Sequence, residues 1–283
     1  MSLGEHTTCA VRTNGELWCW GYNSYGNVGD GTKTGRTVPT KVTAFKKVDA
    51  VAVGGSYHTC AIVNGSVHCI GYEGYSALGN GSNTNTTQTT WQKVKGLPAV
   101  KSLSAADYHN CAVDKSGNVY CWGWDHYGRV GPLAKSSGNS KSGANTLPLK
   151  VVGVTGATQV DVGQYGSCAT KSDGTVWCWG YSSYYENGNG STSHSKNPVQ
   201  VKGLGGVSYV VRAQHHAFAL LKAGGARGWG RNNYGMLGRG STTTGTSAAP
   251  PGALTNIVQV AANDRATFFL RADGVLWAAG SGY

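Results

Sequence analysis

The sequence predicts an all-β fold, and two observations predict it: the composition and an internal repeat. Glycine (44 residues), tyrosine (15) and tryptophan (9) are abundant, whereas charged residues make up only 13% of the 283 residues. This composition, with Asn-Gly and Asp-Gly turns and no helical periodicity, is typical of antiparallel β-structure. A hairpin pattern recurs about every 50 residues. Aligned on its first arm, the pattern starts at Cys9, Cys60, Cys111, Cys168, Phe218 and Phe268.

Each repeat divides into four short strands. Val48–Gly54 and Thr59–Val63 are examples of the first and second strands, and a tight turn leads to a third strand such as Val176–Gly180. A glycine-rich loop then reaches a fourth strand such as Pro39–Val42. Four antiparallel strands repeated at this period are typical of a β-propeller blade, which buries its two faces against neighbouring blades. The sequence therefore predicts a β-propeller.

Six hairpins predict six blades in a single domain spanning residues 1–283. The sixth repeat ends after its third strand, in the segment Leu276–Tyr283, so we expect a short sixth blade. A seven-bladed ring with a truncated end is the alternative. The third and fourth repeats are further apart because of a Ser/Gly/Lys-rich insertion, Ala134–Thr146, which predicts a surface loop.

The repeat resembles the RCC1 (regulator of chromosome condensation) repeat. The resemblance rests on the pattern H-x-C-A-x-x-x-x-G-x-V-x-C-W-G, followed by Y-G-x-x-G-x-G and P-x-x-V, and it extends over essentially the whole chain. It implies a propeller but no single function, because the family includes a nucleotide exchange factor, an ultraviolet photoreceptor, ubiquitin-ligase modules and secreted bacterial inhibitors of β-lactamases. The paired cysteines make this chain look like a secreted, disulfide-containing bacterial member.

The eight cysteines lie in pairs on the two arms of the first four hairpins. The fifth and sixth repeats lose both members of the pair together, to Phe218 with Gly228 and to Phe268 with Ala278. This joint loss favours disulfides over reduced core thiols, and the spacing differs from that of zinc ligands. Disulfides predict an oxidising location, which is secreted, periplasmic or at the cell surface. The predicted pairs are Cys9–Cys19, Cys60–Cys69, Cys111–Cys121 and Cys168–Cys178.

The sequence contains no recognisable catalytic motif. The nucleophile elbow G-x-S-x-G, the zinc motif H-E-x-x-H and a Walker loop are absent. His58, His109 and His216 share one repeat position, where the resemblance implies a histidine that packs and hydrogen-bonds between blades. We therefore expect no enzymatic activity, no cofactor and no metal ion.

The loops at one end of the predicted blades are rich in aromatic residues. The loops between strands 1 and 2 and between strands 3 and 4 leave a blade at the same end, and Tyr and Trp there offer large contact areas with a polar group. In the 3–4 loops, the first aromatic position is Tyr22, Tyr72, Trp124 and Tyr181, and the second is Tyr25, Tyr75, Tyr127, Tyr184 and Tyr234. We expect the first position to contact a ligand and the second to pack on the next blade. Tyr57, Tyr108 and Tyr165 of the 1–2 loops complete the predicted binding residues.

These features predict a non-enzymatic binding module that engages a protein partner through the aromatic loops, as an enzyme inhibitor or as part of a larger surface protein. A glycan-binding lectin and a structural or adhesive domain are the alternatives, since Tyr and Trp also stack on sugars. The net charge of +11 permits acidic partners, but it equally serves solubility, and nucleic acid is not favoured. No stretch reaches the length of a membrane-spanning segment. The oligomeric state is not predicted.

Overall fold

The structure, a computed structural model, describes residues 1–135 and 144–281. Most of the predicted insertion Ala134–Thr146 therefore lies outside the described residues. In the described part, 23 strands form six antiparallel sheets, five with four strands and the sixth with three. The predicted fold class, an all-β propeller with six blades and a short sixth blade, is confirmed.

The chain falls into two compact units, which are Met1–His126 with Leu133–Val151, and Tyr127–Pro132 with Val152–Tyr283. The first unit holds three sheets. Their strands are β1 (Ser2–Leu3), β2 (Thr7–Val11), β3 (Leu17–Gly21) and β4 (Arg36–Val42); β5 (Ala50–Gly54), β6 (His58–Val63), β7 (Ser66–Tyr72) and β8 (Thr87–Lys93); and β9 (Val100–Ala105), β10 (His109–Asp114), β11 (Val119–Gly123) and β12 (Asn145–Lys150).

The second unit holds the other three sheets. Their strands are β13 (Ala157–Gly163), β14 (Gly166–Lys171), β15 (Val176–Gly180) and β16 (Ser195–Gln200); β17 (Val207–Arg212), β18 (His216–Leu221), β19 (Ala226–Gly230) and β20 (Gly245–Ala249); and β21 (Ile257–Ala262), β22 (Ala266–Arg271) and β23 (Leu276–Gly280). Within each unit the second strand of one sheet packs against the first strand of the next. The hydrophobic core therefore lies between consecutive sheets of a unit, as in the cluster of Val176, Val210 and Trp229.

All four predicted disulfides are present. Each joins the second and third strands of one sheet at directly opposed positions, with Cα atoms 4.1–4.2 Å apart. In the fifth sheet, Phe218 lies opposite Gly228, and a Cβ atom on residue 228 would come within 2.5 Å of the Phe218 ring. The large ring and the missing side chain therefore occupy together the space that a disulfide occupies elsewhere, which explains why the two cysteines are lost as a pair.

In the third, fourth and fifth sheets, a recurring hydrogen bond links the sheet to the 3–4 loop of the sheet before it. The donor is the buried indole N–H of the third-strand Trp-Gly pair, and the acceptor is a main-chain carbonyl of the loop. The bonds are Trp122 to Ala77 (2.9 Å) in the first unit, and Trp179 to Arg129 (2.8 Å) and Trp229 to Glu186 (2.9 Å) in the second. In the second sheet Ile70 replaces the tryptophan, and the Thr59 hydroxyl donates to the Asn27 carbonyl instead.

The shared histidines pack between sheets, as the resemblance implied. His58 Nε2 lies 2.7 Å from Asn110 Oδ1, and His216 Nε2 lies 2.8 Å from Thr267 Oγ1, so each ring reaches the second strand of the following sheet. His109 is also fully buried. Burial lowers the pKa of His58 to about 4 and that of His216 to about 3, which keeps both rings neutral near pH 7.

We expect Trp179→Phe to destabilise the protein by about 2–3 kcal/mol, because the buried Arg129 carbonyl loses an indole donor and the smaller ring leaves space. The measurement is the free energy of unfolding in guanidinium chloride. Trp177→Phe is the control. Trp177 lies on the same strand, is half-buried, and its indole donates only to the nearby Thr175 hydroxyl. A loss for Trp179→Phe no larger than for this control would contradict the role of the inter-sheet bond.

Acidification from pH 7.5 to pH 5 should destabilise the protein partly through His58. Above about pH 6.5 the ring is neutral in both states. Below that pH the unfolded chain binds a proton that the folded chain does not bind until its pKa of about 4, so folded stability falls by about 1.4 kcal/mol per pH unit. His58→Gln should reduce the loss between the two pH values by about 2 kcal/mol.

This pH effect is measured by denaturant titrations of the parent and the variant at both pH values. His6→Gln, at an exposed histidine of the same unit, should behave like the parent. An equal loss of stability in His58→Gln and the parent would show that His58 does not contribute to the acid sensitivity.

Candidate functional site

The aromatic 3–4 loops are folded around a buried polar residue that follows the first aromatic position. In the first unit, Asn23 Oδ1 accepts a hydrogen bond from the Val28 N–H (2.8 Å), and Asn23 Nδ2 donates to the Thr34 carbonyl (3.0 Å). Asn232 makes the same pattern in the second unit, with the Leu237 N–H and the Thr243 carbonyl. A single amide side chain thus closes each of these loops and fixes the directions of the aromatic residues beside it.

Glu73 fills the equivalent position in the second sheet. Its carboxylate accepts hydrogen bonds from the side chains of Asn80, Thr84 and Thr86. Burial opposes ionisation of Glu73 most strongly, but these hydrogen bonds together hold its pKa below the usual value. The polar residues Asn23 and Glu73 of the aromatic loops are therefore buried, and their hydrogen bonds stabilise the loops.

Seven of the predicted aromatic residues form one continuous cluster in the first unit. Tyr25 lies 5.5 Å from Tyr57 and 5.3 Å from Tyr72, measured between ring centroids, and Tyr57 stacks at 5.6 Å on Tyr108. Tyr75 then lies 5.0 Å from Trp124. Burial raises the pKa of Tyr25 and of Tyr108, so their hydroxyls stay protonated. The cluster, named here the first aromatic cluster, comprises Tyr22, Tyr25, Tyr57, Tyr72, Tyr75, Tyr108 and Trp124.

The second unit has its own cluster around Tyr181. The Tyr181 ring lies 4.9 Å from Tyr127, 5.7 Å from Tyr165 and 4.6 Å from His194. His215 joins Tyr165 to Tyr184, with centroid distances of 5.3 and 5.6 Å. The second aromatic cluster comprises Tyr127, Tyr165, Tyr181, Tyr184, His194 and His215.

The first and second aromatic positions of the 3–4 loops are exposed to different extents from one loop to the next. In the first unit, the second-position Tyr25 packs on Tyr57 and Tyr72 of the following sheet. Of the first-position residues, however, only Tyr22 is exposed, at 42%, whereas Tyr72, Trp124 and Tyr181 are half-buried. The second-position ring of the preceding loop covers each of these three side chains, at centroid distances of 5.3, 5.0 and 4.9 Å. Contact of the first position with a ligand stays a prediction. The other exposed residues among the predicted binding residues are the second-position Tyr184 (36%) and Tyr234 (40%).

Two arginines join the exposed tyrosines, and the sequence reasoning did not include them. The Arg231 guanidinium lies 5.1 Å from the Tyr184 ring centroid and 5.7 Å from that of Tyr234. Arg265 lies 5.4 Å from the Tyr234 centroid. These are cation–π distances. The sequence does indicate Arg231, because this arginine occupies the position that is aromatic in the first four repeats. The four side chains Tyr184, Arg231, Tyr234 and Arg265 are named here the tyrosine–arginine patch.

Two buried side chains, Glu186 and Arg212, form hydrogen bonds with residues of the second aromatic cluster. The fully buried Glu186 carboxylate lies 3.1 Å from His215 Nδ1 and accepts a hydrogen bond from the Tyr184 N–H (2.7 Å). The buried Arg212 side chain donates to the carbonyls of Glu186 and Tyr181. Burial lowers the pKa of Arg212 to about 10, which still leaves it charged at neutral pH. His215 and Tyr184 are thereby held in place by one carboxylate.

No group of three or more His, Cys, Asp or Glu side chains with a metal-binding arrangement occurs in the described residues. Within the same ranges, no helix has the length and apolar character needed to cross a bilayer. The chemistry that these loops offer is that of aromatic rings, phenol hydroxyls and guanidinium groups presented on folded loops. Such groups bind other molecules by contact and hydrogen bonding.

Comparison with known proteins identifies the repeat. A family model described as the regulator of chromosome condensation (RCC1) repeat matches residues 14–62 and 173–220, and a second model of the same description matches residues 100–129 and 157–186. The ultraviolet-B receptor UVR8 of Arabidopsis thaliana is 26% identical over 184 residues, which are 64% of this chain and 40% of the receptor. The E3 ubiquitin-protein ligase HERC2 of Homo sapiens is 29% identical over 189 residues, 64% of this chain and 4% of the ligase.

This chain thus matches two fifths or less of the length of these relatives. Among solved structures, Prp20p from Saccharomyces cerevisiae is similar with a TM-score of 0.79 at 24% identity, covering 96% of this chain and 68% of Prp20p. At that identity the likeness is one of fold. The repeat motif, the family matches over both units and the sheet topology agree, and the chain belongs to the RCC1 repeat family.

Proposed function

We propose that this protein is a non-enzymatic module that binds a protein partner through its 3–4 loops, with the tyrosine–arginine patch as the main contact. The observation that carries the proposal is the patch itself. Tyr184 and Tyr234 are exposed large aromatic residues, and Arg231 lies against both rings. Tyrosine and arginine are among the residue types most enriched at the centres of protein interfaces.

The loops that carry the patch are preorganised, which supports the proposal. Asn232 closes the loop that carries Arg231 and Tyr234. The Glu186 carboxylate accepts a hydrogen bond from the main-chain N–H of Tyr184 and so fixes that residue. Residues fixed before binding lose little conformational freedom on binding. Tyr22, the exposed member of the first aromatic cluster, is the corresponding contact residue in the first unit.

The relatives support the class of partner. Prp20p has binding properties to Gsp1p and histones, and yeast RCC1 (Prp20) has been crystallised bound to Kap60. These partners are proteins, and they belong to Prp20p. For this chain we propose the class of partner only, together with an extracellular, periplasmic or cell-surface location supported by the four disulfides.

Inhibition of an enzyme is a narrower form of the same function, in which the arginines contact an acidic or aromatic surface of the enzyme. A lectin role has less support, because most rings of both clusters pack against one another and few ring faces remain open for a sugar. A structural or adhesive role requires no particular residues in these loops, and this difference can be tested.

The test compares affinity capture by the biotinylated chain and by the triple variant Tyr184→Ala, Arg231→Ala, Tyr234→Ala, using surface and secreted fractions of the source organism and quantitative mass spectrometry. We expect the variant to recover the specific partner at least about tenfold less, because it loses the aromatic and guanidinium contacts. Val38→Ala, which changes an exposed apolar residue of β4, is the control and should capture the partner like the parent.

Equal recovery of the same protein by the parent and the triple variant would overturn the assignment of the patch. Release of the partner by free sugars or by enzymatic deglycosylation would instead support the lectin alternative. Thermal unfolding of all variants checks that the substitutions leave the fold intact.

A further inference from the structure

The first unit carries a lysine-rich surface at the end of its sheets away from the aromatic loops. The 2–3 turns and the links between sheets leave a sheet at this end, whereas the 1–2 and 3–4 loops leave it at the other end. Six lysines here are exposed, and none of them forms an ion pair within residues 1–135 and 144–281. They are named here the lysine surface and are Lys46, Lys47, Lys93, Lys101, Lys115 and Lys150.

The acidic side chains at the same end leave this positive charge unbalanced. Glu16 is already paired with Arg12 (3.0 Å) and Lys41 (2.5 Å), which do not belong to the lysine surface. Asp114 is buried, and its carboxylate accepts hydrogen bonds within its own turn. Asp49 is the one further carboxylate at this end of the described part of the unit, and it is exposed. Six lysines therefore face solvent beside a single open carboxylate.

Two of the three 2–3 turns in the second unit are arranged differently, because they carry their own counter-charges. Lys171 pairs with Asp173, and Arg271 pairs with Asp273, each at 3.1 Å. Local pairing of this kind is expected of a surface that only meets solvent. The turn residue Lys115 of the first unit has no such partner among the described residues, so its charge is available to a ligand.

The lysine surface contains a cleft of about 400 Å³ between the second and third sheets. Lys101 and Lys115 line it from the third sheet, and Asp49 and Asn64 line it from the second sheet. The two sides are fixed to each other, because the N–H of residue 100 donates to the carbonyl of residue 65 at 2.9 Å. In the described part of the chain, no aromatic side chain lines the cleft.

We propose that the lysine surface binds an acidic polysaccharide. An acidic group of the polymer enters the cleft beside Lys101 and Lys115, and a sugar hydroxyl donates to the Asp49 carboxylate. The other lysines of the surface contact neighbouring acidic groups along the polymer. Binding of lysines to a chain of negative charges releases the counterions of that chain, so the affinity falls steeply with salt.

The residues of the cleft favour a polysaccharide over a nucleic acid. A DNA backbone offers hydrogen-bond acceptors only, and its phosphates are repelled by the Asp49 carboxylate, whereas a sugar hydroxyl can donate to that carboxylate. Proteins that bind single-stranded nucleic acids stack the bases on aromatic rings, and none lines the described cleft. The choice of ligand also rests on the proposed extracellular, periplasmic or cell-surface location, where acidic polysaccharides occur.

The test measures the binding of two acidic polysaccharides to the whole chain by isothermal titration calorimetry. Heparin carries sulfate and carboxylate groups, and polygalacturonate carries carboxylate groups alone. We expect saturable binding of at least one of them, with an affinity at least about tenfold lower in 200 mM than in 50 mM salt. Dextran, which is uncharged, should not bind. The absence of saturable binding by both acidic polymers would overturn the proposal.

A charge-removing variant tests the surface itself. It combines Lys47→Gln, Lys101→Gln and Lys115→Gln, and it should bind the acidic polysaccharide at least about tenfold more weakly than the parent. The matched control removes the same charge from exposed lysines at the loop ends of their sheets, with Lys33→Gln, Lys135→Gln and Lys196→Gln. The control should lose no more than about twofold in affinity. Equal losses in the two variants would show that binding follows net charge and would contradict the assignment to this surface.

Duplex DNA of equal total charge distinguishes the two classes of polymer. We expect it to compete with the bound polysaccharide at least about tenfold less effectively than the free polysaccharide does. Competition by DNA at equal or lower concentration would overturn the choice of a polysaccharide. These variants leave the tyrosine–arginine patch unchanged, so failure of this proposal and failure of the proposed protein-binding function are seen separately.

Discussion

The bond from a buried indole N–H to a loop carbonyl of the preceding sheet is the constraint on which the functional loops depend. A 3–4 loop is long and rich in glycine, so its own main chain gives it little preference for one conformation. Trp122, Trp179 and Trp229 each bring a donor from the following sheet to one carbonyl of that loop. Each of these carbonyls also accepts a second hydrogen bond from the same following sheet, donated by Asn110, Ser167 or Arg212. The loop end is thereby fixed to the core, and the aromatic residues on the loop take fixed places.

A second constraint concerns the space between the two arms of each hairpin, which side chains or a disulfide must fill. Four sheets connect the arms by a disulfide, and the fifth sheet replaces the disulfide by the Phe218 ring above Gly228. Both solutions leave no cavity between the arms, which is the condition for close packing of one sheet on the next. The sixth sheet has the corresponding pair, Phe268 and Ala278, and its phenylalanine is 38% exposed.

The aromatic residues of the loops differ in how far they are exposed. Most of them pack ring against ring within their own unit, and burial keeps hydroxyls such as that of Tyr108 protonated. Of the exposed ones, Tyr184 and Tyr234 lie beside arginine side chains. Arg231 stands at the first position in place of an aromatic ring, and its guanidinium lies beside both Tyr184 and Tyr234.

The sequence by itself determined the repeat, the four strands of each blade, the short sixth blade and the cysteine pairs. These features are local or periodic: strand alternation, turn residues and the joint loss of two cysteines are all visible within one repeat or by comparing repeats. Only the tertiary structure decided which loop aromatics are exposed, that Asn23 and Glu73 are buried, and that Arg231 and Arg265 lie on tyrosine rings. The physical reason is that exposure of a loop side chain depends on the residue that the loop of a neighbouring sheet places against it. That residue lies about 50 residues away along the chain, and no local pattern specifies the contact.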